Sequence, residues 1–221
     1  MEATKIIIDI VNDRIMANIV RALATDPDFG VSGTAERGTA NLDDILEQLP
    51  DIVILSMEDR RRDGLVSTRY LRRHMPSLAV ILTVDKMDDQ KLLECLKVGA
   101  AACVSGTDYM MYGTMWQSVV SAVAEGQEPI IEAVLRPEVA TLVLSEFEAP
   151  SKLRDLQNNV LTKLLPPETE LLLGIAAGNV INNPNTEMTS VVKRLHSIVH
   201  KLVMNADVTI ILEDYRKLAK R

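Results

Sequence analysis

The regular alternation of strand-like and helix-like segments in the first half of the chain is the feature that most constrains its fold. Five short apolar runs, KIIIDIV, FGVSGTA, DIVILS, AVILTV and AACVS, each precede a segment that has apolar residues at helical spacing. Such strands and helices form βαβ units, whose right-handed crossovers build a parallel sheet covered on both faces. The pattern therefore predicts an α/β, flavodoxin-like (βα)5 domain over residues 1–126.

The strand–helix alternation stops in the second half of the chain. Pro137 and Pro150 divide residues 127–160, which are predicted to form a helical linker, into two helical pieces. The second piece has an apolar stripe that fits either packing on a neighbouring domain or pairing with a second copy, formed by Leu153, Leu156, Val160 and Leu164. Residues 161–221, whose helical pattern is interrupted at GNVINNPN, are predicted to form a small all-α domain.

Composition and charge narrow the class of protein. The 221 residues are 47% apolar and 25% charged, as in soluble globular proteins, and can form two small domains. The formal net charge of −7 argues against nucleic acid covering the whole surface, although it allows a local basic face. We expect a cytoplasmic protein without a signal peptide or membrane span, in which Cys95 and Cys103 are reduced core thiols.

The carboxyl ends of the predicted strands are where function collects in sheets of this kind. The first strand is predicted to run to Asn12-Asp13, the third ends at Ser56, the fourth at Thr83, and the fifth runs into Ser105-Gly106. Together with the helix pattern VNDRIMANIVRAL, the Asp63-Gly64 pair and the GAA at Gly99 to Ala101, these segments make residues 5–126 resemble the receiver domain of two-component response regulators.

The resemblance implies a role for each position at this edge. Asn12 and Asp13 correspond to the acidic pair that holds Mg²⁺, Ser56 to the aspartate nucleophile, Thr83 to the Ser/Thr switch, and Gly106 to the lysine. The aromatic switch position is Cys103. Because a serine hydroxyl without an adjacent base is a poor nucleophile, we expect a vestigial pocket without aspartyl phosphorylation, kept as an interaction module for a protein partner.

Three arginines, Arg60 to Arg62, lie in the loop beside this vestigial pocket. A solvated basic loop is the favoured interpretation, and filling of the pocket or binding of an anion there is the alternative.

The segment LLPPETELLLGIAAG, residues 164–178, resembles the first helix of the LuxR-type (NarL/FixJ-type) helix-turn-helix domain. Pro166 and Pro167 begin the helix, Glu168 and Glu170 favour its positive end, and Gly178 caps it. Between Gly178 and the next helix, however, the chain has only a short segment with Pro184, where the family has a scaffold helix. The shortened segment, Asn179 to Asn185, weakens the expected affinity for DNA.

The segment TEMTSVVKRLHSIVHKL, residues 186–202, aligns with the recognition helix of that family. Val191, Leu195, Ile198 and Leu202 form its apolar stripe, and a separate last helix is expected after Leu202. The outer face is predicted to contact DNA and carries Ser190, Lys193, Arg194, Ser197 and Lys201. A solvated surface face is the alternative.

These observations predict a DNA-binding transcriptional regulator of the atypical response-regulator type, acting as a homodimer without aspartyl phosphorylation. The alternative is a protein-interaction adaptor in which both domains are degenerate and DNA is not bound. No enzyme activity, cofactor or metal is expected. His74, His196 and His200 lie on predicted helices without a partnered Ser or Cys, and the pair His196 and His200 has no third ligand near it in sequence.

Overall fold

A computed structural model describes residues 3–10, 12–34, 41–58, 63–105, 113–148, 162–179 and 188–218. The chain divides into two compact units. The first comprises Met1–Lys91 and Gly99–Ile130, and the second comprises Leu92–Val98 and Ile131–Arg221.

The first unit is built on a five-stranded parallel sheet with the strand order β2-β1-β3-β4-β5. The strands are β1 (Thr4–Asp9), β2 (Phe29–Thr34), β3 (Ile52–Ser56), β4 (Ala79–Val84) and β5 (Ala102–Ser105). The helices that alternate with these strands along the chain are α1 (Asp13–Leu23), α2 (Leu42–Glu47), α3 (Gly64–His74), α4 (Asp89–Val98) and α5 (Gly113–Ala124). Of α4, only residues 89–91 belong to the first unit. The predicted flavodoxin-like α/β fold is confirmed.

One face of the sheet packs against α1 and α5. Alternate residues of a strand point to the same face, so Ile6 and Ile8 of β1 enter one core together with Ile52 and Ile54 of β3. Trp116, the only tryptophan of the chain, is 1% exposed and belongs to the same core. Its fluorescence is therefore a probe of this unit.

Short-range capping sets where the helices of the first unit begin. Asn41 and Asp63 cap α2 and α3 through side-chain oxygens that accept hydrogen bonds from backbone amides. Asn12 does the same for α1, and β1 already ends at Asp9. The expectation that the first strand runs to Asn12-Asp13 is wrong, because the Asn12 side chain stabilises the first turn of a helix.

The second unit is helical. A 3₁₀ helix (Pro129–Leu135) precedes α6 (Pro137–Glu148), α7 (Pro166–Ala176) and α8 (Met188–Leu218). Helix α6, which begins at Pro137, packs against α7 and contacts α8. Its buried side chains are Val139, Ala140, Val143 and Leu144. Of the predicted apolar stripe, Leu153, Leu156 and Val160 lie outside the described residues, and Leu164 is half-buried.

Helix α8 is continuous over 31 residues, about 46 Å at 1.5 Å per residue. The predicted break after Leu202, with a separate last helix, is wrong. The segment from Met188 to Leu218 contains no glycine or proline, and Val203 and Met204 continue the helix. Despite this length, neither α8 nor any other helix in the described part of the chain is both long and apolar enough to cross a membrane.

Candidate sheet-edge pocket and nucleic-acid interface

Ser56 and Thr83 lie side by side at the carboxyl edge of the sheet. They are paired in the register of β3 and β4, and Thr83 is 3% exposed whereas Ser56 is half-buried. The Thr83 hydroxyl donates to the Leu55 carbonyl at 3.2 Å, and the Met57 amide donates to the Thr83 carbonyl at 2.8 Å. The structure therefore brings together two of the five predicted pocket residues, and both present hydroxyl groups.

The other predicted pocket positions do not add a carboxylate to this pair. Asn12 is exposed, and its side-chain oxygen accepts from the Arg14 and Ile15 amides at 3.1 and 3.2 Å. Asp13 is exposed in the first turn of α1. Gly106 lies outside the described residues, as do Arg60 to Arg62. In the structure, Asn12 therefore has a capping role.

A buried acid that sequence reasoning missed ends β1. Asp9 is 3% exposed and is level with Leu55 in the register of β1 and β3. Since Ile8 and Ile54 belong to the core on one face, alternation places Asp9 on the opposite face and Ser56 on the same face as that core. The sequence signal for this acid was an aspartate in an otherwise apolar strand. The Asp9 carboxylate and the Ser56 hydroxyl leave the sheet on different faces.

The donor set at this edge does not fit the Mg²⁺ site that the family resemblance implies. Mg²⁺ is held through carboxylates in near-octahedral oxygen geometry. Within the described ranges there is no group of three or more His, Cys, Asp or Glu residues that could hold a metal ion. Asp9, the buried acid of β1, lies on the other face of the sheet from Ser56.

Asp63 and Gly64 have a structural role beside Ser56. Asp63 Oδ1 accepts from the Leu65 and Val66 amides at 2.8 and 3.2 Å and thereby caps α3. A Cβ atom on Gly64 would lie 2.2 Å from the Ser56 carbonyl oxygen and 2.8 Å from Met57 Cα. Only glycine allows α3 to start this close to the end of β3, which explains the Asp-Gly pair without any catalytic role.

A lysine at the same edge is held by an acid. Lys91 Nζ lies 2.5 Å from Glu58 Oε1, and it also donates to the Lys86 carbonyl at 2.9 Å. The hydrogen bond with Glu58 raises the pKa of Lys91 although partial burial opposes this. Lys91 thus secures the residues that follow β3, and sequence reasoning did not identify it.

In the second unit, Glu168 joins the start of α7 to the side of α8. Its Oε2 accepts from the Leu165 amide at 2.6 Å and from Lys201 Nζ at 2.6 Å. Its Oε1 accepts from the Ser197 hydroxyl at 2.7 Å and from Lys201 Nζ at 2.8 Å. Glu168 was expected only to favour the positive end of the helix, but it is buried and both of its oxygens are satisfied.

The surroundings of Glu168 have opposing effects on its acidity. Burial raises the pKa of the carboxyl group, but hydrogen bonds from Lys201, the Leu165 amide and Ser197, with the charge of Lys201, outweigh burial. The pKa of Glu168 is therefore lowered from its usual value of 4.5. The group is a carboxylate at neutral pH and forms a charge-assisted pair with Lys201.

The predicted DNA-contacting residues do not all share one environment. Lys193 and Arg194 are exposed on the second turn of α8, whereas Ser190 is half-buried. Ser197 and Lys201 were expected on the outer face, but both are half-buried and turned to Glu168. The reason is electrostatic, because a buried carboxylate requires donors and these two residues supply them.

A groove of about 460 Å³ runs along this part of the second unit. Its walls come from the start of α7 and the first three turns of α8, and it is lined by Leu165, Pro167, Glu168, Thr189, Ser190, Lys193, Arg194 and Ser197. The exposed cations Lys193 and Arg194 stand on one wall. The groove is therefore a candidate for binding an anionic chain.

The apolar side of α8 matches the prediction. Val191, Leu195, Ile198 and Leu202 are each at most 2% exposed. His196 and His200 are exposed on the helix surface. Beyond Leu202, Asn205 accepts from the Thr162 amide and hydroxyl, both at 2.9 Å, and donates to the Thr162 carbonyl at 3.0 Å. These contacts fix the chain before α7 against the middle of α8.

Comparison with known proteins identifies the domain that holds the parallel sheet. Residues 6–106 match the family model of the response regulator receiver domain. The chain is 23% identical over 200 residues to the transcriptional regulatory protein LiaR of Bacillus subtilis, covering 90% of this chain and 88% of LiaR.

A second kind of relative shares only part of its length with the chain. A protein-glutamate methylesterase/protein-glutamine glutaminase of Anaeromyxobacter dehalogenans is 31% identical over 129 residues, which is 56% of this chain and 36% of that protein. The relative aligned over most of its length is thus a regulator, whereas the alignment with the enzyme covers about a third of the enzyme.

A solved structure shows the same fold over nearly the whole chain. The structure described as two RcsB dimers bound to two parallel DNAs is similar with a TM-score of 0.51 and 18% identity, and the match covers 93% of this chain and 98% of that one. Residues 6–106 are therefore a response regulator receiver domain, and a helical region follows it in a chain that is similar to the regulator LiaR over most of its length.

Proposed function

We propose that the protein is a DNA-binding transcriptional regulator that uses the exposed Lys193 and Arg194 of α8. The proposal rests on where these two side chains lie. Both side chains are exposed beside the groove at the start of α8, on a segment from Ser190 to Leu202 that contains no acidic residue, in a chain of net charge −7. Cations on one helix face neutralise phosphates and let a helix enter the major groove. LiaR and the DNA-bound RcsB structure support the proposal by resemblance.

The direct test is a pair of double variants with the same change in charge. Lys193→Ala with Arg194→Ala should abolish retention of both promoter and random DNA at ~50 mM salt, where electrostatic binding is strongest. The control, Arg21→Ala with Arg73→Ala, removes two exposed cations from the first unit and should leave binding unchanged. Equal losses in the two variants would show a non-specific charge effect and would contradict the proposal.

The regulator works without aspartyl phosphorylation in this proposal. The position that corresponds to the phosphoacceptor is Ser56, whose neighbour at the edge is the hydroxyl of Thr83, and the buried Asp9 lies on the other face of the sheet. A serine without a base and without a carboxylate-bound cation lacks both the nucleophile and the charge stabilisation that acyl phosphate formation requires. Incubation with acetyl phosphate and Mg²⁺ should therefore leave the mass of the protein unchanged.

We further propose that two copies pair through the part of α8 that follows Leu202. This segment is mostly apolar, and of its apolar residues Met204 and Ile211 are 43% and 42% exposed. Met204→Glu with Ile211→Glu should shift the sedimentation of the protein to that of a monomer. Val66→Glu, at a position 59% exposed on α3, is the matched control and should not. A wild-type monomer at tens of micromolar would contradict this pairing.

The alternative function is a protein-interaction adaptor without DNA binding. It is favoured by two exposed apolar side chains, since Leu165, just before α7, and Leu173, on α7, are 58% and 53% exposed. The shortened segment Asn179 to Asn185, most of which lies outside the described residues, favours it as well. Absence of DNA retention in the wild-type protein at ~50 mM salt would make this alternative the preferred one.

A further inference from the structure

We infer that Glu168 is a positioning residue of the DNA interface, which holds Lys201 away from DNA so that Lys193 and Arg194 alone meet the phosphates. The inference rests on the proposed function and deepens it. Three cations and no acid occupy α8 between Ser190 and Leu202, so the sequence by itself gives this face a charge of +3. The structure divides those cations into two groups.

Lys201 is committed to Glu168 through two short contacts. Its Nζ atom lies 2.8 and 2.6 Å from the two carboxylate oxygens, and the side chains of Lys201 and Glu168 are 17% and 4% exposed. If Lys201 bound a phosphate, the buried Glu168 carboxylate would lose its cation. Leaving a buried charge unpaired costs free energy. The charge that α8 can offer to DNA is therefore that of Lys193 and Arg194.

The same carboxylate fixes how α8 is turned about its axis. It binds Ser197 and Lys201, one turn apart on α8, and at the same time accepts from the Leu165 amide at the start of α7. Contacts to two successive turns of one helix from a point on another restrict its rotation. In this orientation the exposed residues beside the groove are Lys193 and Arg194.

The slope of DNA affinity against salt concentration gives the number of phosphate contacts. It therefore distinguishes a role of Glu168 in holding Lys201 away from DNA from a purely structural role. Two cations from each of two copies give a slope of log K against log salt of about −3.6. This slope corresponds to a loss of DNA affinity of about 150-fold between ~50 and ~200 mM salt. Glu168→Gln releases Lys201 from its charged partner, so six contacts should steepen the slope to about −5.4 and the loss to about 1,800-fold. A residue that only supported the fold would weaken binding at every salt concentration and leave the slope unchanged.

The experiment measures these slopes by fluorescence anisotropy with labelled random-sequence duplex DNA, after circular dichroism has shown native helix content. Lys201→Gln should keep the wild-type slope, and Glu168→Gln with Lys201→Gln should return to it. If Glu168→Gln does not fold, the Lys201→Gln slope decides alone. A slope that is shallower by about 1.8 in Lys201→Gln would show that Lys201 already contacts phosphate, and it would overturn the inference while leaving the proposed function intact. A wild-type protein that does not bind DNA would overturn both.

Discussion

Replacement of Gly64 by alanine should destabilise the first unit, because the new methyl group meets backbone atoms that cannot move aside. The Cβ atom would lie 2.2 Å from the Ser56 carbonyl oxygen, and real Cβ atoms essentially never approach closer than 3.0 Å, so α3 must shift by at least 3.0 − 2.2 = 0.8 Å. Overpacking of this kind costs about 3 kcal/mol at the upper end of its usual range. Alanine recovers about 1 kcal/mol over glycine in a helix, which leaves a net loss of about 2 kcal/mol.

The assay uses the single buried tryptophan. Trp116 is 1% exposed in the core of the first unit, so its fluorescence in a denaturant or thermal series reports the unfolding of that unit. For a unit of this size, a loss of about 2 kcal/mol lowers the melting temperature by about 8 °C.

A second glycine provides the matched control. At Gly30 a Cβ atom would have its nearest neighbours at 3.7 and 3.8 Å, which is ordinary van der Waals contact, so Gly30→Ala should be close to neutral. Unfolding of Gly64→Ala at the same temperature as the wild-type protein and as Gly30→Ala would show that the backbone accommodates the methyl group, contrary to this prediction.

Three further predictions concern backbone strain, acid stability and phosphorylation. Leu49 has a φ of 50°, in the left-handed region that glycine adopts without strain. Its side chain is 70% exposed, so little contact is lost when it is replaced. Leu49→Gly should therefore stabilise the first unit by about 0.5–1 kcal/mol in the same tryptophan assay. Because the folded pKa of Glu168 is lowered, its contribution to the stability of the second unit is present above pH 4.5 and is lost as pH falls from there through the folded pKa. Thermal melts by circular dichroism should show this acid loss in the wild-type protein and a weaker one in Glu168→Gln. Ser56→Asp alone should still fail to bind beryllofluoride with Mg²⁺, because Asn12 supplies no carboxylate, and a stable complex would contradict the account of the sheet edge.

The fold of the first unit could be predicted because its local signals agree. Apolar runs such as Ile52 to Leu55 are fully buried strands of a parallel sheet, and Asn41 and Asp63 are strong helix caps. Local information was also sufficient for the start of α7 at Pro166, where proline fits the first helical position.

The errors arose where the family resemblance overrode the local sequence. No glycine or proline follows Leu202, and the residues from Val203 onward favour a continuous helix, but the alignment led us to expect a break. Likewise, Asn12 followed by a helical pattern is a capping signal, yet alignment to an acidic pair placed it at the end of a strand.

The environment of the candidate DNA face could not be predicted from sequence at all. Helical periodicity places Ser197 and Lys201 near Lys193 and Arg194, but it carries no information about a carboxylate on another helix. Glu168 lies 29 residues before Ser197 and 33 before Lys201, and only the packing of α7 against α8 brings them together. Pairing of this kind is tertiary, and it decides which charges on a helix are offered to a ligand.

The proposed DNA-binding function is tested by the salt dependence of DNA binding by the unmodified protein. Binding to random-sequence duplex DNA should be measured from ~50 to ~200 mM salt and plotted as log K against log salt. The account predicts retention at the lowest salt and a slope of about −3.6, the value for two cations, Lys193 and Arg194, from each of two copies. Absence of binding at ~50 mM salt, where phosphate contacts are strongest, would contradict the proposal that this protein acts on DNA.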